Sequence, residues 1–429
     1  MTATMNIIEE LQWRTLMHQC TDMAAVTKEL ETSTVLYAGF DPTSDSLHVG
    51  SLLPLMMLRR FQLAGHKPIA LVGGATGMIG DPSGKSDERT LLSKEILRHN
   101  VSSVETQMRQ FLDFEGPSGA VVVNNFDWMQ AFSFLDFLRD VGKNVPVSVM
   151  LGKDSVKSRL ERQDSGLSFT EFSYMLLQAY DFAYLAKHLD CKLQIGGSDQ
   201  WGNITAGIDL GRRMNSQQLY GLTCPLLTTS DGRKMGKTEK GAVWLSADKT
   251  SPYEFYQYFI NVDDADVLMV LRFLSDVERE EYTEIEASLA EKPGAAQRRL
   301  AESITRLVHG ELGLQSALRA SQALFGAEID SLSEKELSEI FADVPSSTLP
   351  RSRLDKGLTL IDALVAVSLV SSKGEARRAI EGGSVYINNR RAEGIDRVLT
   401  IADLASETVI VLRYGKRKYA LLRFESGEI

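Results

Sequence analysis

The chain has 429 residues, 43% hydrophobic and 24% charged, with a formal net charge of −10. That is the balance of a folded globular protein with room for two to three domains, and it excludes a disordered or low-complexity chain. No apolar run approaches the roughly 18 residues of a membrane span, and the longest, "LIDALVAVSLV", carries Asp362.

The start of the chain, with Glu9 and Glu10 early, is neither a secretory nor a transit signal, so a cytoplasmic location is expected. Cys20, Cys191 and Cys224 lie far apart without C-x-x-C spacing, which argues against a disulfide framework and a thiolate zinc site. Charge is uneven along the chain. Residues 351–429 hold 14 Lys and Arg against 10 Asp and Glu, net +4, which leaves −14 for residues 1–350.

In chain order, the first half alternates short apolar runs with longer amphipathic stretches. The runs "TVLYAGF", "KPIALVGG", "AVVVNN" and "CKLQIGG" read as strands of βαβ units, hence an α/β fold with a Rossmann-like parallel sheet. Ligands of such sheets bind at the carboxyl ends of the strands. The first strand leads into "FDPTSDSLHVGS", which delivers His48 and Gly50 at the mouth of a helix. A ring nitrogen can donate to phosphate or ribose oxygens, and a glycine permits close approach at a helix N-terminus. Taken alone, the tripeptide is more simply a helix-capping histidine. Two generic phosphate motifs fail: "GDPSGKS" has Ile79 where a P-loop needs its first glycine, and neither "GGATGMIG" nor "GGSDQWGN" contains G-x-G-x-x-G.

In "SFTEFSYMLLQAYDFAYL", Tyr174, Gln178 and Asp181 stand at i, i+4 and i+7, within about 60° of one helix face. Phe172, Leu176, Ala179 and Ala183 take the opposite side. A polar stripe of this kind usually faces water, yet Tyr with Gln and a carboxylate suits a pocket for an ammonium and a hydroxyl. Further on, "TTSDGRKMGKTEKGAVW" puts Lys234 and Lys237 on a glycine-containing loop. Charged loop tips are mostly solvated surface. A mobile lysine pair closing over a triphosphate, however, places positive charge where a transition state develops negative charge.

From "KTSPYEFYQYFI" to about Gly326 the pattern is helical, with Ser251-Pro252 as a start signal. "SEIFADVPSSTLPRSR" reads as a linker. The expected domains are therefore a catalytic unit at 1–246, a helical domain at 247–326, a linker at 327–354 and a small basic α+β unit at 355–429. In the last, "LIDALVAVSLVSSKGEARRAIEGGSVYINNRR" reads as two short helices and a strand.

His48-Val-Gly and Lys234-Met-Gly-Lys237-Thr238 together resemble the paired signatures of class I aminoacyl-tRNA synthetases. With "LYAGFDPTSDSLHVG", "HKPIALVGGATGMIGDPSGK", "LQIGGSDQWGNIT" and "KTSPYEFYQYFIN", essentially the whole chain resembles the bacterial-type tyrosyl-tRNA synthetases. The resemblance implies activation of L-tyrosine by ATP and transfer to the 3′ end of a tyrosine-specific tRNA, with magnesium accompanying ATP and no metal cage in the protein. It implies that Tyr37 and Asp181 bind the phenol, that Tyr174, Gln178 and Asp81 hold the α-ammonium group, and that Gln194 and Gln200 line the same pocket. It places Gly39, Asp41, Gly50, Ser51, Gly197, Asp199 and Thr238 in the ATP half, with Asp199 on the ribose and Thr43 near the phosphates. His48, Lys234 and Lys237 would stabilise the developing charge, and Lys85 and Arg89 the pyrophosphate.

The C-terminal unit is similar to a small RNA-binding domain, with Ser372, Lys373, Arg377 and Arg378 facing phosphates. The family is homodimeric, and "FLRDVGKNVPVSVM" corresponds to its interface. Two departures stand out. Ser51 occupies a position where histidine is usual, and the lysine signature has Gly236 and Thr238 in place of two serines. Gly236 is expected to favour loop mobility. A tryptophan-activating sister enzyme, a nucleotidylyltransferase and a non-catalytic RNA-binding descendant are the competing readings.

Overall fold

The computed structural model describes residues 6–81, 92–153, 156–157, 168–238, 241–324, 329, 332–342, 344–415 and 418–425. Contacts divide the chain into two compact units. One is Met1–Thr250 with Tyr258–Val308, and the other is Ser251–Gln257 with His309–Ile429.

The first unit is built on a six-stranded sheet: β1 (Gln19–Cys20), β2 (Val35–Phe40), β3 (Lys67–Val72), β4 (Val121–Asn124), β5 (Cys191–Gly197) and β6 (Tyr220–Cys224), in the order β1-β6-β5-β2-β3-β4. All neighbours are parallel except β1, which pairs antiparallel with β6 at the edge. The four expected apolar runs are β2 to β5. The strand order reverses between β2 and β5, where Tyr37 and Gln194 are cross-strand partners. In an open parallel sheet that reversal splays the following connections apart and opens a crevice at the strands' carboxyl ends.

Helix α1 (Val49–Leu63) follows β2, and α2 (Phe169–Leu189) precedes β5. A capping box between Ser168 and Glu171 starts α2, and Asp190 in the left-handed region ends it; each device satisfies backbone groups that a helix end leaves open. Both faces of α2 are buried. Phe182 and Leu185 pack with Tyr37, Ile69 and Trp128 on the sheet side. Ala179 and Ala183 pack with Val141, Met150 and Leu210 on the other. A fully buried Leu or Phe contributes about 1.5–3 kcal/mol, so the helix is fixed in rotation as well as position. The polar stripe therefore lies inside the protein, with Tyr174 and Asp181 buried.

After the sheet come α3 (Pro252–Ile260), α4 (Asp264–Leu274), α5 (Arg279–Ser288) and α6 (Ala295–Leu324), the last interrupted at Gly310 with φ 70°. The Ser251 hydroxyl accepts from the Glu254 N–H, and Pro252 takes the first helical position, where a missing N–H costs nothing.

The 327–354 stretch differs from the linker read from composition. It carries α7 (Glu334–Ile340), opened by a capping box between Ser333 and Glu336, and strand β7 (Ser346–Leu349). Leu337, Ile340 and Phe341, spaced for one helix face, are buried with Tyr253, Val409, Val411 and Leu421. Strand β7 pairs in parallel with β11 (Lys418–Phe424), in a sheet that also holds β8 (Val385–Ile387), β9 (Arg390–Arg391) and β10 (Val409–Tyr414). The segment is thus part of the second unit, whose other face packs helices α8 (Leu360–Ala366) and α9 (Lys373–Glu381).

Candidate active site

A cavity of about 350 Å³ opens at the carboxyl ends of β2 and β5. Its lining brings together Tyr37, Gly39, Asp41, His48, Gly50, Asp81, Tyr174, Gln178, Asp181, Gln194, Gly197, Asp199, Gln200, Lys234 and Lys237. Thr43, Ser51 and Thr238 stand beside it without lining it, and Thr43 and Thr238 are exposed. Lys85 and Arg89 lie outside the described residues.

At one end, Asp181 is 1% exposed. Its two carboxylate oxygens accept from the Trp128 indole N–H at 2.9 Å and from the Asn125 side-chain amide at 3.0 Å. Burial pushes its pKa up to about 7 even though both hydrogen bonds favour the charged form. Burial, with the nearby Asp181 charge, also holds the Tyr37 phenol well above its usual range. The Tyr37 hydroxyl and the side-chain carbonyls of Gln178 and Gln194 are buried with no hydrogen-bond partner among the described residues. Three such orphans in one cavity cost free energy unless a ligand completes them. Along the wall, the Gln200 amide donates to Asp81 at 2.8 Å, and its carbonyl accepts from Asn203 at 3.0 Å and Gln178 at 3.3 Å. Asp199 lies 3.8 Å from the Lys234 ammonium; burial raises its pKa and the ammonium opposes that rise.

His48 is the N-cap of α1, as its tripeptide alone suggests, and it lines the cavity too. Its Nδ1 accepts the Gly50 N–H at 3.0 Å, which puts the proton of the neutral ring on Nε2. The Trp244 ring meets the imidazole edge-on, with centroids 6.2 Å apart. A Cβ on Gly50 would lie 2.7 Å from His48 Cε1. The glycine is therefore needed under the imidazole itself.

The lysine loop is held by main-chain bonds. The Met235 N–H donates to the Leu227 carbonyl and the Val243 N–H to the Gly236 carbonyl, both at 2.9 Å, and Lys237–Thr238 pairs antiparallel with Gly241–Ala242. Gly236 has φ +87°, and a Cβ there would come within 3.0 Å of Val49 Cβ. Its conformation and its close approach to α1 require glycine, whereas the sequence suggested only mobility.

Asn125 and Trp128 were not singled out from the sequence. The available signal was "NNFDW" directly after β4, at the sheet end where ligands bind. In the second unit, Ser372 is the N-cap of α9 and Lys373 pairs with Asp362 at 2.6 Å. Arg377 and Arg378 are exposed on the same helix.

A parallel sheet with this order, carrying a capping histidine opposite a lysine loop, defines the catalytic unit of a class I synthetase, and the model for "tRNA synthetases class I (W and Y)" matches residues 28–326. The model for the tyrosine–tRNA ligase SYY-like C-terminal domain matches residues 336–422. The chain is 60% identical to the tyrosine–tRNA ligase of Rhodopirellula baltica, over 99% of this chain and 97% of that protein. It is 55% identical to that of Roseiflexus castenholzii, over 97% and 99%. Among solved structures, a C-terminally truncated mitochondrial tyrosyl-tRNA synthetase of Aspergillus nidulans superposes with a TM-score of 0.67 at 31% identity, over 75% of this chain and 94% of that one. The chain belongs to the tyrosine–tRNA ligase family of class I synthetases.

Proposed function

We propose that the chain activates L-tyrosine with ATP, forming tyrosyl adenylate and pyrophosphate, and then transfers tyrosine to the terminal ribose of its tRNA. The observation that carries the specificity is the buried Tyr37 hydroxyl, without a partner among the described residues, in the same cavity end as the Asp181 carboxylate. A phenol completes both groups; the benzyl ring of phenylalanine leaves them desolvated and unpaired. An indole N–H offers Asp181 a donor but gives Tyr37 no acceptor, which disfavours tryptophan.

Tyr174, Gln178 and Asp81 receive the α-ammonium group, with Gln194 and Gln200 completing the wall. That directs the carboxylate toward Gly39, Gly50, Gly197 and the α-phosphorus of ATP, whose ribose meets Asp199 and whose phosphates lie toward Thr43, with Asp41 in the same half of the site. The tyrosine carboxylate is already ionised, so attack on phosphorus needs no general base; positioning and charge stabilisation carry the step. His48 Nε2–H, Lys234 and Lys237 take up the charge developing on the phosphates. Ser51 and Thr238 flank this set, and Lys85 and Arg89 act on the pyrophosphate. ATP enters as its magnesium complex, the ion held by the phosphates.

Transfer to tRNA engages the second unit through Ser372, Lys373, Arg377 and Arg378. The exposed side chains of Phe134, Leu135, Leu138, Val147 and Val149 support a homodimer through the "FLRDVGKNVPVSVM" region, and the working compartment is the cytoplasm. The test is ATP–pyrophosphate exchange with each standard amino acid. Exchange with tyrosine alone is expected; exchange driven by tryptophan overturns the specificity, and none with any amino acid overturns the activity.

A further inference from the structure

Gly236 stands between Lys234 and Lys237, and both of its backbone polar groups are committed. Its N–H donates to the Tyr258 hydroxyl at 2.7 Å. Its carbonyl accepts from the Val243 N–H, and the Val243 carbonyl accepts from the N–H of Val49, each at 2.9 Å. Val49 is the residue after His48. Three hydrogen bonds therefore join Tyr258, through the centre of the lysine loop, to the helix end that carries the histidine. Two of the three are main chain to main chain. The Tyr258 hydroxyl is the side-chain member, on helix α3, and its ring is set by an edge-to-face contact with Phe259 at 5.1 Å. Tyr258 does not line the cavity.

Charge stabilisation in a transition state depends on donors that are already in place when the charge develops. A glycine pivot between two long, flexible lysines works against that, because glycine leaves the backbone the most freedom. One strong constraint at the pivot restores it for both side chains together. We propose that Tyr258 is a positioning residue for the activation step: its hydroxyl holds the Gly236 amide and thereby fixes the Lys234 and Lys237 ammonium groups opposite His48. The proposal rests on the reading above, in which those lysines stabilise the phosphates.

Tyr258→Phe removes the hydroxyl and keeps the ring. It is expected to lower the tyrosine-dependent exchange kcat roughly tenfold, the worth of one lost hydrogen bond, with the KM for tyrosine unchanged. In the background of Lys237→Ala the same change should have a smaller effect than in the wild type, because one of the two groups it positions is gone. Full additivity of the two substitutions, or an unchanged kcat in Tyr258→Phe, overturns the proposal. If Lys234→Ala and Lys237→Ala each leave exchange intact, the reading of the lysines fails instead; if they lower it and Tyr258→Phe does not, the Tyr258 proposal fails alone. Amide hydrogen exchange on the unmodified enzyme gives a measurement independent of any variant's folding. The Gly236 N–H should be protected, and exchange at the rate of an open loop overturns the latch.

Discussion

Trp128 and Asp181 meet through a single hydrogen bond of 2.9 Å, the indole N–H donating to one carboxylate oxygen while Asn125 holds the other at 3.0 Å. The carboxylate is thereby fixed in rotation before any substrate arrives. Removing either donor leaves a buried acceptor unpaired and lets the carboxylate turn, at a cost of about 1–3 kcal/mol. Trp128→Phe and Asn125→Ala should each raise the KM for tyrosine by one to two orders of magnitude, roughly, and narrow the preference for tyrosine over phenylalanine. Exchange kinetics with both amino acids check this; an unchanged ratio removes the two residues from specificity.

The same carboxylate sets a pH dependence. With its folded pKa pushed up to about 7 by burial, Asp181 takes up its proton more readily in the folded chain than in the unfolded one, where a carboxylate titrates near 4. Stability from this group is therefore present below about pH 4 and lost as pH rises to about 7. Tyrosine binding in the proposed mode runs the other way, because the phenol would donate to the ionised form. Tyrosine affinity in the wild type should weaken as pH falls below about 7, and Asp181→Asn should flatten both the binding curve and the urea-unfolding midpoint over that interval. A wild-type affinity that is flat from pH 6 to 8 contradicts the assignment.

Gly50 tests the histidine without touching it. An added methyl must displace the imidazole, 2.7 Å away. Gly50→Ala should therefore reproduce most of the loss expected of His48→Ala, a fall of roughly 10²-fold in the exchange rate, with tyrosine affinity retained. A Gly50→Ala rate close to wild type would show that the imidazole acts from another position.

The sheet and the Tyr174, Gln178 and Asp181 stripe were legible because each depends on local periodicity: continuous apolar runs for buried parallel strands, and i, i+4, i+7 spacing for one helix face. His48 and the lysine pair were legible only together, since each alone is an ordinary cap or a charged turn. Asn125 and Trp128 were not, because they stand more than 50 residues from Asp181 in sequence and only the fold of β4 against α2 brings them together. Gly236 was legible only as a source of loop mobility. Its positive φ and its contact with Val49 are properties of the tertiary structure, whereas composition registers only a glycine in a polar loop.

The stretch from Ser333 to Leu349 shows the reverse case, in which composition concealed a pattern that was present. Serines and acidic residues dominate it, yet Leu337, Ile340 and Phe341 repeat at i, i+3, i+4, and Leu337 is 0% exposed. A linker tolerates truncation at such positions, whereas a packed helix loses transfer energy and gains a cavity. Leu337→Ala should destabilise the second unit by about 2–5 kcal/mol, and Ser333→Ala, which removes the cap, by about 1 kcal/mol. Tyrosine-dependent pyrophosphate exchange, carried by the first unit, should be unchanged in both, while aminoacylation of tRNA falls as the second unit melts. Thermal unfolding of the full chain followed alongside the two activities checks this; a Leu337→Ala protein with wild-type stability and full aminoacylation would return the segment to the status of a linker.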